Sequence, residues 1–258
     1  MSTSTHEEMV FADGNMSVVV RVGETVRRTP GTWMPAVHTL LRHLEHRGFP
    51  GAPRTRGFDK RGREILTFMD GESIPASLEG YDSDGVLADV ARLLRRYHDA
   101  TRDFVAPRGA PWRFQSGAPT RGEIVCHNDI GPYNTIAAGG VPVAFIDWDF
   151  AAPGPPTWDI AHAVWRFAPL YDDVRFGSPV EQGRRLRLFC DAYGLDDRRG
   201  MLDTIERRQQ VLYDSLTAGA AAGDPGFAAL VRDGHGDGVL VDMAYIRRCR
   251  AEFVHALS

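Results

Sequence analysis

The sequence predicts an α+β fold of two lobes, a small β-rich N-terminal lobe with one helix and a larger, mainly helical C-terminal lobe. Short runs rich in β-branched residues occupy the first 70 positions around one amphipathic stretch, whereas helical spacing dominates after residue 83. The strand-breaking segment 70–72 separates the two patterns. We therefore expect a disordered tail at residues 1–8, an N-terminal lobe at 9–70 and a C-terminal lobe at 71–258. A cleft between two lobes is a common place for a ligand.

The N-terminal elements follow from local patterns. Residues 17–22 and 25–28 predict two strands joined by a turn. Apolar residues at helical spacing predict a helix over 33–47, and Gly48 suits its C-terminal end. Residues 54–69 predict a hairpin that completes this lobe.

The C-terminal part is predicted to be mostly helical. Ser83 is a suitable N-cap for a helix that ends near Thr101. The segment 105–122 is rich in Pro and Gly and predicts a long surface loop. The Gly-Gly pair at 139–140, between two β-rich runs, predicts a tight hairpin, and several helical segments follow over 157–258.

Composition and charge exclude several classes of protein. With 43% hydrophobic and 25% charged residues, the chain has the composition of an ordinary soluble globular protein, and its net charge of −4 argues against nucleic acid as a partner. We recognise neither a signal peptide nor an apolar run that would span a membrane. The scattered Cys126, Cys190 and Cys249 fit buried thiols in a reducing compartment, although Cys126 would be the one to consider as reactive. We expect a cytoplasmic protein, monomeric or homodimeric, that binds neither nucleic acid nor membrane.

The most informative segment is 127–134, His-Asn-Asp-Ile-Gly-Pro-Tyr-Asn, which has the form H-x-D-x-x-x-x-N. The predicted hairpin follows, and Asp147 comes after it, so Asn134 and Asp147 are expected side by side. Their carbonyl and carboxylate oxygens are the ligands that Mg²⁺ prefers. Asp129 can lie near that metal without binding it and accept a proton from an attacking hydroxyl. Turns also favour Asp and Asn, but a plain turn does not explain the order of these polar groups.

This segment resembles the catalytic loop of the aminoglycoside phosphotransferase family, a branch of the protein-kinase-like fold that also includes choline and homoserine kinases. The resemblance rests on His127, Asp129, Asn134 and Asp147 and extends to Asp159 in Thr-Trp-Asp-Ile-Ala. It implies a two-lobed protein-kinase-like fold, with ATP or GTP and Mg²⁺ as cofactors. It also implies that Asp159 hydrogen-bonds the catalytic loop and that His127 braces it.

The resemblance, which in order and spacing runs from about residue 14 to 167, also implies that the N-terminal lobe binds the nucleotide. The loop that covers the phosphates corresponds to Gly14, Asn15 and Ser17. In kinases a strand lysine grips the phosphates. Arg27 or Arg28 stands at that place here, and arginine can hold a phosphate bidentately. Arg27 is favoured, and Arg28 remains open.

Two further features concern the nucleotide site. The helix over 33–47 has no acidic residue where the family carries a glutamate, and His38 stands in that region, either as an orienting group or as a partly exposed helix residue. The family's hinge, which binds the purine ring through backbone groups, corresponds to Thr67, Phe68 and Met69.

The resemblance places the acceptor at the mouth of the catalytic loop, against the helical lobe. The nearest residues in sequence are Asp149, Trp165, Arg166, Tyr171, Asp172 and Asp173, and the first three are the acceptor candidates. Asp149 would suit a cationic acceptor such as an aminoglycoside or a basic peptide antibiotic, whereas Arg166 does not fit a simple acidic pocket.

We therefore expect a nucleotide-triphosphate-dependent O-phosphotransferase that acts on a small hydroxylated acceptor, such as an aminoglycoside or another antibiotic. One alternative is a metabolic kinase for choline, homoserine or a sugar. Another is a catalytically inactive, kinase-like binding protein, which the missing lysine and helix glutamate would favour. The intact set of Asp129, Asn134 and Asp147 argues for the enzyme.

Overall fold

A computed structural model of the protein describes residues 8–11, 19–113 and 123–258. Five short strands form its N-terminal sheet: β1 (Met9–Phe11), β2 (Val19–Val22), β3 (Thr25–Arg28), β4 (Thr55–Phe58) and β5 (Glu64–Thr67). All neighbours pair antiparallel, in the order β1-β2-β3-β5-β4. The central strands β3 and β5 pair Thr25 with Thr67 and Arg28 with Glu64. Residues directly opposite each other share a face of the sheet, so Arg28 and Glu64 lie side by side.

One helix, α1 (Met34–His46), accompanies this sheet. Its apolar stripe is fully buried, and its members are Val37, Leu40, Leu41 and Leu44. His38 is also buried, at 3% exposure. The expectation of a partly exposed histidine is therefore wrong.

The rest of the chain contains five more strands and seven more helices among the described residues. They are β6 (Glu72–Ser73), α2 (Asp84–Thr101), β7 (Ile124–Cys126), β8 (Thr135–Ala138), β9 (Val141–Phe145), β10 (Ala152–Gly154), α3 (Pro156–Phe167), α4 (Pro179–Tyr193), α5 (Met201–Ala221), α6 (Pro225–Arg232), α7 (His235–Arg248) and α8 (Arg250–Leu257). The hydroxyl of Ser83 accepts a hydrogen bond from the Val86 amide and caps α2 as expected. Helices α2, α3, α4, α5 and α7 share one hydrophobic core, which also receives the apolar stripe of α1.

The β8–β9 hairpin sets the geometry of the site. Gly139 and Gly140 form its turn with φ of 57° and 80°, and both values require a backbone that glycine adopts without strain. Thr135 pairs with Phe145 at the open end. The residues just outside the hairpin are therefore brought together, as the sequence predicted.

The predicted fold class is confirmed, and the boundaries differ by one or two residues. The helix expected over 33–47 spans 34–46. The strand expected to continue to residue 69 ends at Thr67, because its partner β3 begins at Thr25. Strand β6 pairs with β8, outside the N-terminal sheet; the lobe division after residue 70 remains a prediction. Among the described residues, every helix is too short or too polar to span a bilayer.

Candidate active site

The loop that carries Asp129 is anchored by Asp159, a fully buried residue in the first turns of α3. One Asp159 oxygen accepts the backbone N–H of His127 at 2.6 Å, and the other accepts that of Asn128 at 2.8 Å. His98 on α2 donates a third hydrogen bond at 3.2 Å. Burial raises the pKa of Asp159, but the hydrogen bonds from His98 and the loop outweigh it and lower the pKa below its ordinary value. The carboxylate is therefore a charged anchor for the loop.

His127 ties the same loop to the segment after β9. Its Nε2 donates to the carbonyl oxygen of Ile146 at 3.0 Å, and its ring centroid lies 4.6 Å from that of Trp148. Burial lowers the pKa of His127, so the ring is neutral and keeps this proton on Nε2. This contact fixes the loop relative to Asp147, which follows Ile146.

The Asp129 carboxylate accepts two side-chain hydrogen bonds and lies close to a histidine. Tyr133 donates its hydroxyl to Oδ1 at 2.8 Å, and the Asn134 amide donates Nδ2 to Oδ2 at 2.9 Å. His162 Nε2 lies 3.4 Å from Oδ1. Burial raises the pKa of Asp129, but His162 and Tyr133 prevail and lower it to about 2. The carboxylate is thus ionised at neutral pH, and 23% of the side chain remains accessible.

His162 is a site residue that the sequence reasoning missed. It is buried, and burial together with the nearby Arg208 cation lowers its pKa to about 4. It lies three positions after Asp159 on α3, and residues at that spacing share a helix face. This i, i+3 relationship was the available signal.

Asn134 and Asp147 meet at the open end of the hairpin. The backbone N–H of Ile146 donates to the carbonyl oxygen of Asn134 at 2.9 Å, and Asp147 follows in a left-handed conformation at φ 60°. Burial raises the pKa of Asp147 to about 6; the Arg28 cation opposes this rise, and the negative charges of Asp149 and Asp129 add to it. A cation at this place would relieve that repulsion.

The donor set fits magnesium. Asn134 uses its amide nitrogen on Asp129, which directs its side-chain oxygen away from that contact, and 45% of the Asp147 side chain is accessible. In the part of the chain that the structure describes, no group of three His, Cys, Asp or Glu side chains forms a complete metal site. Mg²⁺ ordinarily takes only one or two protein ligands and completes its shell with phosphate oxygens and water.

Arg28 lies at the centre of the charged groups, and only 6% of it is exposed. Its Nε donates to Glu64 at 2.6 Å, while Nη1 and Nη2 lie 3.0 Å from Asp147 and 2.6 Å from Asp149. Burial lowers the pKa of Arg28, but Asp149, Asp147 and Glu64 outweigh it and raise the pKa above its ordinary value. The guanidinium is therefore a permanent cation beside the two acidic residues.

Arg27 takes a different direction. Its Nη1 donates to the Thr25 hydroxyl at 2.6 Å and to the Val26 carbonyl at 3.2 Å. Successive side chains of a strand point to opposite faces, so only one of the two arginines can face Asp147. The structure brings Arg28 there, although the sequence analysis favoured Arg27.

The remaining nucleotide candidates are placed only in part. Gly14, Asn15 and Ser17 lie outside the described residues. The Thr67 hydroxyl accepts the backbone N–H of Arg54 at 2.8 Å, and the Arg21 guanidinium lies 3.6 Å from the centroid of the Phe68 ring. Met69 follows at the end of this segment, half-buried.

The three acceptor candidates do not form one cluster. Trp165 is fully buried and donates Nε1 to Asp242 at 3.0 Å. Arg166 stacks on the Trp165 ring at 3.7 Å and donates to the Tyr171 hydroxyl at 3.3 Å. Asp149 is instead engaged by Arg28 and, at 3.4 Å, by Arg113.

Comparison with known proteins matches this picture. The model of the phosphotransferase enzyme family matches residues 112–202. The trifolitoxin immunity protein of Rhizobium leguminosarum bv. trifolii is 37% identical over 214 residues, which cover 78% of this chain and 80% of that protein.

Solved structures with the same fold are more distant in sequence. The amicoumacin kinase hAmiN in complex with AMP-PNP, Ca²⁺ and Ami superposes with a TM-score of 0.64 at 12% identity, covering 88% of each chain. The GDP complex of aminoglycoside 2'-phosphotransferase-IIIa superposes with a TM-score of 0.64 at 14% identity, covering 94% of each chain.

Together, fold and family define a kinase-like phosphotransferase. The similarity to the immunity protein extends over four fifths of that relative. This chain belongs to the phosphotransferase enzyme family.

Proposed function

We propose that the protein transfers the γ-phosphoryl group of ATP or GTP to a hydroxyl of an antibiotic-like small molecule, with Asp129 as the general base. The observation that carries this proposal is the single cluster formed by Asp129, Asn134, Asp147 and Arg28. Phosphoryl transfer asks a protein mainly for positioning and for neutralisation of charge. This cluster contains a proton acceptor, two oxygen ligands and one cation.

In this proposal, Asp129 accepts the proton of the acceptor hydroxyl as the oxygen attacks the γ-phosphorus. The bond between the γ-phosphorus and the β,γ-bridging oxygen breaks, and ADP or GDP leaves. Its low pKa keeps it ionised, and the Tyr133 and Asn134 hydrogen bonds orient its two oxygens. Asn134 therefore serves twice, through its nitrogen toward the base and through its oxygen toward the metal.

Asn134 and Asp147 would hold Mg²⁺ together with the nucleotide phosphates. When bound, the ion would neutralise the negative charge of the phosphate oxygens. Arg28 would contribute a further cation, since its two terminal nitrogens lie beside Asp147 and Asp149. Guanidinium groups hold phosphates through two parallel hydrogen bonds.

The acceptor is proposed to be an antibiotic. Two similar proteins support this class, because one is named as a trifolitoxin immunity protein and the other as an amicoumacin kinase. Arg166 on α3 remains the proposed acceptor residue, since His162 of the same helix contacts the base. Trp165 is fully buried beneath Arg166 and is withdrawn as a residue that touches the acceptor. We propose a cytoplasmic location, because the nucleotide substrate is supplied there.

A metabolic kinase for choline, homoserine or a sugar is the second candidate, because the same constellation would serve any alcohol. A binding protein without activity has no chemical need for an oriented, ionised Asp129 beside Asn134. The cluster therefore favours an enzyme.

The test is phosphoryl transfer from γ-labelled ATP and GTP to a panel of aminoglycosides, peptide antibiotics, choline, homoserine and sugars. We expect Asp129→Asn to lower transfer by at least about 10²-fold, the lower end of general-base contributions, while Mg²⁺-dependent nucleotide binding persists. Asp197→Asn is the matched control, because Asp197 is exposed and pairs with Arg199. Full transfer by Asp129→Asn would refute the base, and preference for choline or a sugar would select the second candidate.

A further inference from the structure

We propose that Glu64 and His38 position Arg28 for the nucleotide phosphates, so that the acidic partner of the phosphate-binding cation comes from the neighbouring strand and not from a helix. The inference rests on the proposed function, because it assigns a role toward the same nucleotide. Glu64 and His38 are positioning residues here and touch neither substrate nor metal.

The cross-strand register brings Arg28 and Glu64 together. Arg28 ends β3 and Glu64 begins β5, and the two residues are direct antiparallel partners. Glu64 is completely buried, and Arg28 Nε donates to its Oε2 at 2.6 Å. An ionised carboxylate at this depth requires partners on both oxygens.

The second oxygen is satisfied from the helix. His38 Nε2 donates to Glu64 Oε1 at 2.8 Å, and His38 is itself buried. The only acidic residue of α1, Glu45, lies elsewhere and pairs with Arg56 at 3.2 Å. Helix α1 therefore provides Glu64 with a hydrogen-bond donor. It provides no acidic partner for Arg28, as the sequence indicated.

The three nitrogens of the Arg28 guanidinium have different partners. Glu64 occupies the inner nitrogen, Nε, whereas both outer nitrogens face Asp147 and Asp149. A planar guanidinium anchored at one edge presents its other nitrogens in a fixed plane. Glu64 thus fixes the plane, and the outer nitrogens remain the ones that a phosphate can engage.

Charge supports the same arrangement. Three carboxylates, from Glu64, Asp147 and Asp149, surround the Arg28 cation, and Arg113 also contacts Asp149. Arg28 can therefore exchange an outer carboxylate for phosphate without losing its inner partner. Buried ion pairs are weak contributors to stability when compared with apolar pairs, and a positioning role gives this one a function.

The experiment is a double-mutant cycle on nucleotide binding in the full-length chain. Isothermal titration would measure the dissociation constants of ATP and of GTP with excess Mg²⁺ and no acceptor, for the wild type, Arg28→Gln, Glu64→Gln and the double variant. We expect Glu64→Gln to weaken binding about tenfold, the order of one charge-assisted hydrogen bond. In the Arg28→Gln background the same change should add less than about twofold, because non-additivity reports an interaction between the two residues.

Glu45→Gln is the matched control, because it also removes an N-lobe glutamate paired with arginine, but on an exposed site. If Glu64→Gln does not fold, His38→Asn tests the same set of contacts. We expect His38→Asn to weaken nucleotide binding about threefold, and this loss should disappear in the Arg28→Gln background. Unchanged binding by the folded variant, or an equal loss in both backgrounds, would overturn the inference alone. Absence of nucleotide binding by the wild type would overturn the proposed function as well.

Discussion

The carboxylate of Asp159 accepts the backbone N–H of His127 at 2.6 Å, from within the helical core. The same side chain holds the next amide of the loop, at Asn128, whose φ is 67°. A side chain buried in the core thus determines where Asp129, one residue further on, lies. The order of the site therefore depends on this support as well as on the residues proposed to be catalytic.

Removing that support should destabilise the protein. Asp159→Asn turns one accepting oxygen into a donor that faces a backbone N–H, and we expect the free energy of unfolding to fall by about 2–4 kcal/mol. Urea unfolding followed by circular dichroism measures it. Asp89→Asn, at a partly exposed aspartate on α2, is the control and should change stability by less than about 0.5 kcal/mol. Equal losses in the two variants would contradict the role of Asp159.

Asp147 should control the magnesium requirement. Asp147→Asn removes the proposed anionic metal ligand, and we expect the Mg²⁺ concentration for half-maximal nucleotide binding to rise about tenfold or more. Titration of Mg²⁺ at fixed nucleotide, followed by thermal shift, measures the change. The control is Asp103→Asn, since Asp103 is exposed and pairs with His43 and Arg47. An unchanged Mg²⁺ midpoint in Asp147→Asn would exclude Asp147 as a ligand.

The two adjacent arginines should differ in their effect on the nucleotide. Arg28→Gln removes the cation beside Asp147, and we expect nucleotide affinity to fall about tenfold or more. Arg27→Gln removes a cation that bonds Thr25 and the backbone, and affinity should change by less than about twofold. Fluorescence titration with a labelled nucleotide compares the two. The reverse order would restore Arg27 as the phosphate-binding residue.

His162 should make stability depend on pH. In the unfolded chain it binds a proton below its ordinary pKa of 6.5, whereas in the folded protein it does so only near 4. The unfolded state thus binds more protons between these values, so stability falls as pH decreases from 6.5 to 4, by up to about 3 kcal/mol.

Denaturant unfolding at a series of pH values tests this dependence. The variant His162→Gln lacks the titrating group, and its stability should decline less over the same interval. The exposed His255→Gln should follow the wild type. A parallel decline in His162→Gln and the wild type would show that His162 does not cause it.

Much of the fold and the catalytic loop was predictable because the signals are local. The Ser83 cap, the Gly139-Gly140 turn and the H-x-D-x-x-x-x-N segment each lie within a few residues of the structure they determine. The hairpin then converts a separation in sequence into proximity of Asn134 and Asp147.

The charged partners were not predictable in the same way. Arg28 and Glu64 are 36 positions apart, and only the register of β3 and β5 brings them together. Asp149 was expected toward the acceptor because it is close to Asp147 in sequence, yet the short 3₁₀ turn Trp148–Phe150 carries it to Arg28. Neither outcome has a local sequence signal.

The contact between Glu64 and Arg28 also bears on how distant relatives are classified. A classification that requires a strand lysine and a helix glutamate would assign this chain to the inactive members of its family, because both residues are absent. Here Arg28 and Glu64 form an ion pair between two neighbouring strands. In sequences that lack these two residues, the adjacent strand should therefore be inspected before the protein is classified as inactive.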